Sequence, residues 1–279
     1  MKIDEKTRRI FLDFGLFFIN NFFLYLLLTS SFSNSEKFLI VIIDAAFFAL
    51  VISGRRFSFI KRLELNNNLD VLGNINNPVL SLLSKKAPGT FNHSINVGQL
   101  SGNAGKAIGY KNDYLKIGAY YHDIGKIINS KIFVENKPNT DQKDVPVDLE
   151  RKIIEHVKNG LKMAEKFRLP AVIRDVISQH HGTTQISSLK NPTLYYPGPK
   201  PQSKLTGIIM LSDCVEARSR SFKKLDEQLI EKIVITEMEK RISSGQLEDS
   251  TLTANELKKI QSCFIETLSH INHKRKYAK

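Results

Sequence analysis

His122 and Asp123 stand side by side in the stretch Tyr121-His122-Asp123-Ile124-Gly125-Lys126. An imidazole beside a carboxylate suits a divalent cation better than it suits an ordinary core, because both groups carry lone pairs that a metal can accept. Alone the pair proves little, since adjacent polar residues usually mark a solvated helix face. Five of the seven histidines, however, fall between His93 and His181. His93 precedes His122 by 29 residues, His156 follows it by 34, His180-His181 come 24 after His156, and Asp213 lies 32 beyond His181. Taken singly, each histidine is more often an ordinary hydrogen-bonded residue. His180-His181 read alone is a basic helix end favoured by the dipole, and Asp213 a cap or a partner for Arg218. Together the seven groups exceed what one metal needs. With Asp123 bridging, they suit two octahedral ions with positions left for water and substrate. Two such ions about 3.5–4 Å apart can bind a phosphodiester, activate a water and stabilise the leaving oxygen. Imidazole and carboxylate without thiolate favour iron or manganese, with zinc, nickel and cobalt as alternatives. Lys126 is a candidate phosphate contact, although a Lys after a helix-ending Gly is commonly just solvated.

No single helix can present all these groups, but successive helices of a bundle can, since bundle metal sites are built from inward side chains on facing helices. The chain supplies such helices. Pro78 to Ser84 reads as a short helix with Pro in its first turn, and residues 85–90 as a break. Thr90 or Asn92 is expected to cap a helix from about His93 to Ile108, with Gly109 ending it. Asn112 or Asp113 starts the helix that carries the His-Asp pair. Residues 133–147 read as loop. Ile153, Ile154, Val157, Leu161 and Ala164 fall at helical spacing within 148–167. Pro170 opens a helix that Gly182 stops after His180-His181. Residues 191–203 hold four of the nine prolines and form a stiff irregular loop. Leu205 to Arg218, Leu225 to Ser243 and Asn255 to His270 are further helices. No alternating strand pattern appears, so the soluble part reads as an all-α bundle.

Composition sets the surroundings. Twelve of the 17 phenylalanines lie between Phe11 and Phe59. Ile10–Phe32 is apolar over the length that a helix needs to cross a hydrocarbon core of about 30 Å. A second, shorter apolar run spans Phe38–Ser53. Lys2, Lys6, Arg8 and Arg9 precede the first run, and Arg55, Arg56, Lys61 and Arg62 follow the second. By the positive-inside bias, residues 1–62 form a membrane hairpin with both ends in the cytoplasm. The alternative is two buried soluble helices, which Asp13, Asn20, Asn21 and Asp44 would suit. Residues 63–84 are then a linker with a short helix, and 85–279 the globular domain. The formal charge of +13 is spread along the chain. Apart from the tail His273-Lys274-Arg275-Lys276 there is no basic run, so DNA and RNA are not expected partners. Cys214 and Cys263 lack metal spacing and fit reduced thiols.

His122-Asp123 with the upstream His93 resembles the HD phosphohydrolase superfamily. The flanking text is more specific. Ala87-Pro88-Gly89-Thr90-Phe91-Asn92-His93-Ser94, Gly118 to Lys126, Phe133-Val134-Glu135-Asn136, His180-His181-Gly182-Thr183-Thr184, Tyr196 to Gln202 and Asp213-Cys214-Val215-Glu216-Ala217 resemble the cytoplasmic domain of the seven-transmembrane HD (PgpH-type) cyclic-di-AMP phosphodiesterases. The similarity runs in order from about Leu63 to the last helix.

The resemblance implies an all-helical HD domain with a dinuclear centre. It implies His93, His122, Asp123, His156, His180, His181 and Asp213 as ligands, Asp123 as bridge, and hydrolysis of cyclic-di-AMP to pApA at the cytoplasmic face of a bacterial membrane. Lys126 and the Tyr196–Gln202 loop, with Tyr196 and Lys200, are candidates for contacting phosphate or base. Asn92 stands where members often have another His, and Lys137 where an amide is usual. The large extracellular region and most membrane helices of the family are absent here, which leaves the hairpin to anchor the domain or to pair two copies. Two alternatives stay open: a phosphohydrolase acting on another nucleotide or phosphate ester, and a regulator that binds a cyclic dinucleotide without cleaving it.

Overall fold

The computed structural model describes residues 33, 35, 68–136, 148–186, 193–222 and 224–277. The expected membrane hairpin of residues 1–62 therefore lies, but for two serines, outside the described residues. The chain divides at Glu64–Leu65, and everything below concerns the second unit. No helix among the described residues is long and apolar enough to cross a membrane.

Helix α1 (Leu69–Gly73) starts where the Asn68 side chain accepts from the backbone of Asp70 and Val71. Asn77 does the same for α2 (Pro78–Lys86), with Pro78 at the first helical position. The chain then turns on Ala87 alone, and α3 (Pro88–Ala107) opens at Pro88 rather than at His93. Neither Thr90 nor Asn92 caps it. Thr90 sits buried inside the first turn, and its backbone N–H donates to the side chain of Asn136, 46 residues away. The cap comes from elsewhere in the fold, which local pattern cannot reveal.

Helix α4 (Tyr114–Tyr121) follows, with Asn112 accepting from the Tyr114 N–H. It ends just before His122-Asp123, so the pair lies at a helix terminus and leads into tight 3₁₀ turns at Ile124–Ile127, Ser130–Ile132 and Val134–Asn136. Next come α5 (Leu149–Lys166) and α6 (Ala171–Gln179). Ser203 and Thr206 form a reciprocal capping box on α7 (Lys204–Arg220). Asp226 caps α8 (Glu227–Ser243), and α9 (Ala254–Tyr277) closes the chain. The one pairing of extended residues among those described is an isolated bridge, Gln185 with Tyr195. The fold is all-α.

Helix α7 is buried on every side: each residue from Leu205 to Glu216 is buried, which marks the central helix of a bundle. Around it pack Val97, Leu100, Leu115, Ile230, Val234, Phe264 and Leu268 from α3, α4, α8 and α9. A second cluster joins Leu80 and Leu83 of α2 to Tyr121, Ile124, Ile173 and Ile177. A third joins Phe133, Ile153 and Val157 to Ile186 and Tyr196.

Candidate functional site

Five helices and the turn after α4 bring the polar residues of the core together. His93 projects from the second turn of α3, and Asp213 from the buried α7. His122 and His180 each stand one residue beyond a helix, α4 and α6 respectively. His156 lies in the buried stripe of α5, with Ile153, Val157 and Gly160. The approach of Asp123 to α5 depends on Gly125. A Cβ there would fall 1.8 Å from the His156 carbonyl oxygen and 2.4 Å from the Gly160 nitrogen. Main chain meets main chain at this point, and only hydrogen fits.

The seven residues assemble as two groups, His93–His122–Asp213 and Asp123–His156–His180–His181, and within each group the donor atoms lie within 4.8 Å of one another. Asp123 faces both. Its Oδ2 is 3.2 Å from His122 Nε2 and 3.8 Å from His93 Nε2; its Oδ1 is 3.3 Å from His156 Nε2 and 3.6 Å from His180 Nε2. Asp213 Oδ1 lies 2.9 Å from His93 Nε2, and its Oδ2 is 3.8 Å from His181 Nδ1.

Hydrogen bonds on the far side of the rings aim them. His122 Nδ1 donates to the Ala119 carbonyl at 2.6 Å, His156 Nδ1 to Ile153 at 2.5 Å and His180 Nδ1 to Ile177 at 2.9 Å. Each of these fixes the ring so that Nε2 points inward. His93 differs, because its Nδ1 donates to the carboxylate of Glu216 at 2.5 Å. Lys126 bridges carboxylates: its Nζ is 2.7 Å from Asp123 Oδ2 and 2.9 Å from Glu135 Oε1. The same Glu135 oxygen accepts from Thr90 Oγ1.

Electrostatics follow from these contacts. Burial alone would lower the pKa of His93, but Glu216 and Asp213 more than reverse this and raise it to about 9. Burial likewise opposes a rise at His122, yet Asp123 and Asp213 bring it to about 10. His156 falls to about 3 and His181 falls well below the usual imidazole value, both chiefly through burial. Burial works against ionisation of Asp123 and Asp213, but Lys126 and His122 hold the first carboxyl low, and the neighbouring His122 and His93 imidazoles the second.

Two buried atoms of the cluster, His122 Nε2 and Asp123 Oδ1, have no hydrogen-bond partner among the described residues. Asp123 Oδ1 does have imidazoles at ion-pair range, but not in hydrogen-bond geometry. Such orphans cost about 1–3 kcal/mol each in a dry interior, and both lie where a cation between the rings would meet them. The donor set is nitrogen and oxygen, without sulfur, and it fits divalent metal ions. The cluster could hold them.

Most of the centre is sealed. Side-chain exposure is 22% for His181 and 10% for Asp213, and no more than 4% for the other five. The site therefore opens beside His181, where the Tyr196 ring stacks at 4.1 Å. Lys200 goes elsewhere, its ammonium pairing with Glu248 at 3.0 Å. Asn92 is exposed. Glu216, Glu135 and Thr90 belong to the site's surroundings; the sequence places them in the quoted motifs but assigns them no role in the site. Glu216 carried one usable signal, its position three residues after Asp213 and hence on the same face of one helix.

Residues 90–218 match the HD domain family model. The cyclic-di-AMP phosphodiesterase PgpH of Bacillus subtilis is 35% identical over 73% of this chain, a match that spans 31% of that protein. The crystal structure of the PgpH HD domain of Listeria monocytogenes, 35% identical, superposes with a TM-score of 0.64 over 70% of this chain and 99% of that one. The same domain in complex with cyclic-di-AMP gives 0.66, at 34% identity over 71% and 99%. The chain belongs to the HD-domain family and, within it, groups with the HD domains of the PgpH proteins. It spans about a third of the length of the full-length relative it matches.

Proposed function

We propose that this chain is a metal-dependent phosphodiesterase that opens cyclic-di-AMP to the linear dinucleotide pApA. The observation that carries this reading is Asp123, whose two carboxylate oxygens face two separate groups of imidazoles. In this reading His93, His122 and Asp213 would hold one divalent cation and His156, His180 and His181 the second, with Asp123 offering a carboxylate oxygen to each. Such cations, when bound, supply Lewis-acid stabilisation of the charge that develops on a phosphodiester and acidify the attacking water. The rest falls to the chain. The outward Nδ1 bonds keep the Nε2 lone pairs turned inward, and the Asp123 carboxylate spaces the two groups. Lys126 balances Asp123 and Glu135, and its ammonium is the positive group closest to the bridge. Substrate enters on the His181–Asp213 side, with Tyr196 as a wall. A phosphate contact by Lys200 requires its pair with Glu248 to open.

The names of the relatives, and the cyclic-di-AMP bound to one of them, support the substrate. The thiolate-free donor set supports iron or manganese. The apolar runs of residues 1–62 support a tether that holds the domain at the cytoplasmic face of the membrane.

The test uses the full chain in detergent, loaded with manganese or ferrous iron. It is offered cyclic-di-AMP, cyclic-di-GMP, linear dinucleotides and nucleoside triphosphates, and the products are separated by chromatography. pApA is the expected product, and Asp123→Ala is expected to lose both ions and all turnover. A metal-loaded protein that binds cyclic-di-AMP and leaves it intact would make the chain a regulator instead. Cleavage of a triphosphate in its place would move the substrate. Recovery of the chain in the soluble fraction after cell lysis would remove the tether.

A further inference from the structure

We propose that Glu216 is the positioning residue for one half of the centre, the His93–His122–Asp213 group, and that it sets the affinity of that half independently of the other. The inference rests on the two-cation reading above and adds to it a division of labour between the halves.

Each imidazole that presents Nε2 to the centre is held by an acceptor at Nδ1. For His122, His156 and His180 that acceptor is a main-chain carbonyl three residues back in the same segment. The backbone fixes those three rings, and no side-chain substitution can release them. His93 alone among the four uses a side chain, and the side chain comes from a different helix. Glu216 lies on α7 one turn beyond Asp213. The single helix α7 therefore holds the His93 ring at both nitrogens, Asp213 Oδ1 at Nε2 and Glu216 Oε2 at Nδ1.

Glu216 is itself fixed. It is wholly buried, and its second oxygen accepts from Asn96 Nδ2 at 2.9 Å. Asn96 sits one turn after His93 on α3. Two pairs at three-residue spacing, His93/Asn96 and Asp213/Glu216, thus face each other across the α3–α7 contact. A buried carboxylate behind a ligating imidazole fixes its tautomer and increases the ring's electron donation. Among the described residues, no carboxylate is hydrogen-bonded behind the rings of the other group. Loss of the Glu216 charge should therefore weaken one cation and spare its neighbour.

The experiment titrates the full-length Glu216→Gln protein with manganese, following bound metal by equilibrium dialysis and its environment by electron paramagnetic resonance. Glutamine keeps the size of the side chain and can still accept from Nδ1, so the change is one of charge. We expect one equivalent to bind as in the wild type and the second about 10- to 100-fold more weakly. At low manganese an isolated six-line spectrum should replace the coupled spectrum of the wild type. Equal weakening of both equivalents, or no change in either, would overturn the proposal and leave Glu216 as a packing residue. A wild-type protein that takes up no second ion defeats the two-cation reading, and this inference falls with it; that result is visible before any variant is made. If Glu216→Gln fails to fold by circular dichroism, Asn96→Ala, which frees one Glu216 oxygen, must give the same selective loss in smaller measure.

Discussion

The Lys126 ammonium lies between two carboxylates, Asp123 and Glu135, at 2.7 and 2.9 Å, and is itself largely buried. Removing one partner of such a buried arrangement costs about 3–5 kcal/mol, because the remaining charges lose their compensation. Lys126→Met should therefore destabilise the metal-free protein by about that amount in urea denaturation. The loss should be smaller after metal loading, when cations take over the charge of Asp123. Equal losses with and without chelator would reduce Lys126 to a packing role. At this scale the ligand types were legible in the sequence, because His and Asp at inward positions of apolar helices stand out against their neighbours. Their supports were not. Three of the Nδ1 acceptors are main-chain carbonyls, which every residue has. The fourth, Glu216, is one of 28 acidic residues; its place three residues after Asp213 puts it on the same helix face, but its partner His93 is seen only once α3 and α7 are in contact.

At the scale of elements, the turn after the His-Asp pair is pressed onto α5. Gly125 meets the His156 carbonyl and the Gly160 nitrogen. Gly125→Ala must push the turn away from α5, at a cost of about 1–3 kcal/mol for overpacking. That displacement moves Asp123 relative to His156. The expected signature is loss of coupling between two bound manganese ions, read by paramagnetic resonance, at a metal content that still exceeds one per chain. A coupled spectrum unchanged by the substitution would show that the turn relaxes without moving the carboxylate. Helix existence was legible from apolar spacing and from Asn-Pro and Gly signals. The start of α3 was not, since Thr90 has the look of a cap and Pro88 that of a loop. Pro88 instead supplies a first helical position, and the missing cap arrives from Asn136.

For the molecule as a whole, α7 is both the most buried helix and the bearer of Asp213 and Glu216. Metal binding and the packing of the core thus draw on the same element. A ligand that binds only the folded form adds about 2.7 kcal/mol at a concentration of 100 times its dissociation constant. Chelation should therefore lower the melting temperature, and scanning calorimetry with and without metal measures the shift. Protons compete with metal for the imidazole lone pairs, so this stabilisation should fade as pH drops below the range in which the histidines can be neutral. A melting temperature indifferent to chelator would separate the centre from the core. The all-α class was legible from the absence of alternating patterns. That α7 lies at the centre was legible only in part, through its apolar run from Ile208 to Leu211.

The sealed side of the centre carries a consequence for counting. Five of the seven clustered side chains are almost wholly covered, and among the described residues the most exposed members of the cluster are His181 and Asp213. On the proposed reading, a cyclic dinucleotide brings two equivalent phosphodiesters to a single doorway. One bond can lie over the cations while its twin faces outward. After the first cut the ring is open, and the surviving bond can be reached only if the product leaves, turns end for end and returns. The reaction then halts at one hydrolysis per visit, and pApA should build up in solution before any mononucleotide appears.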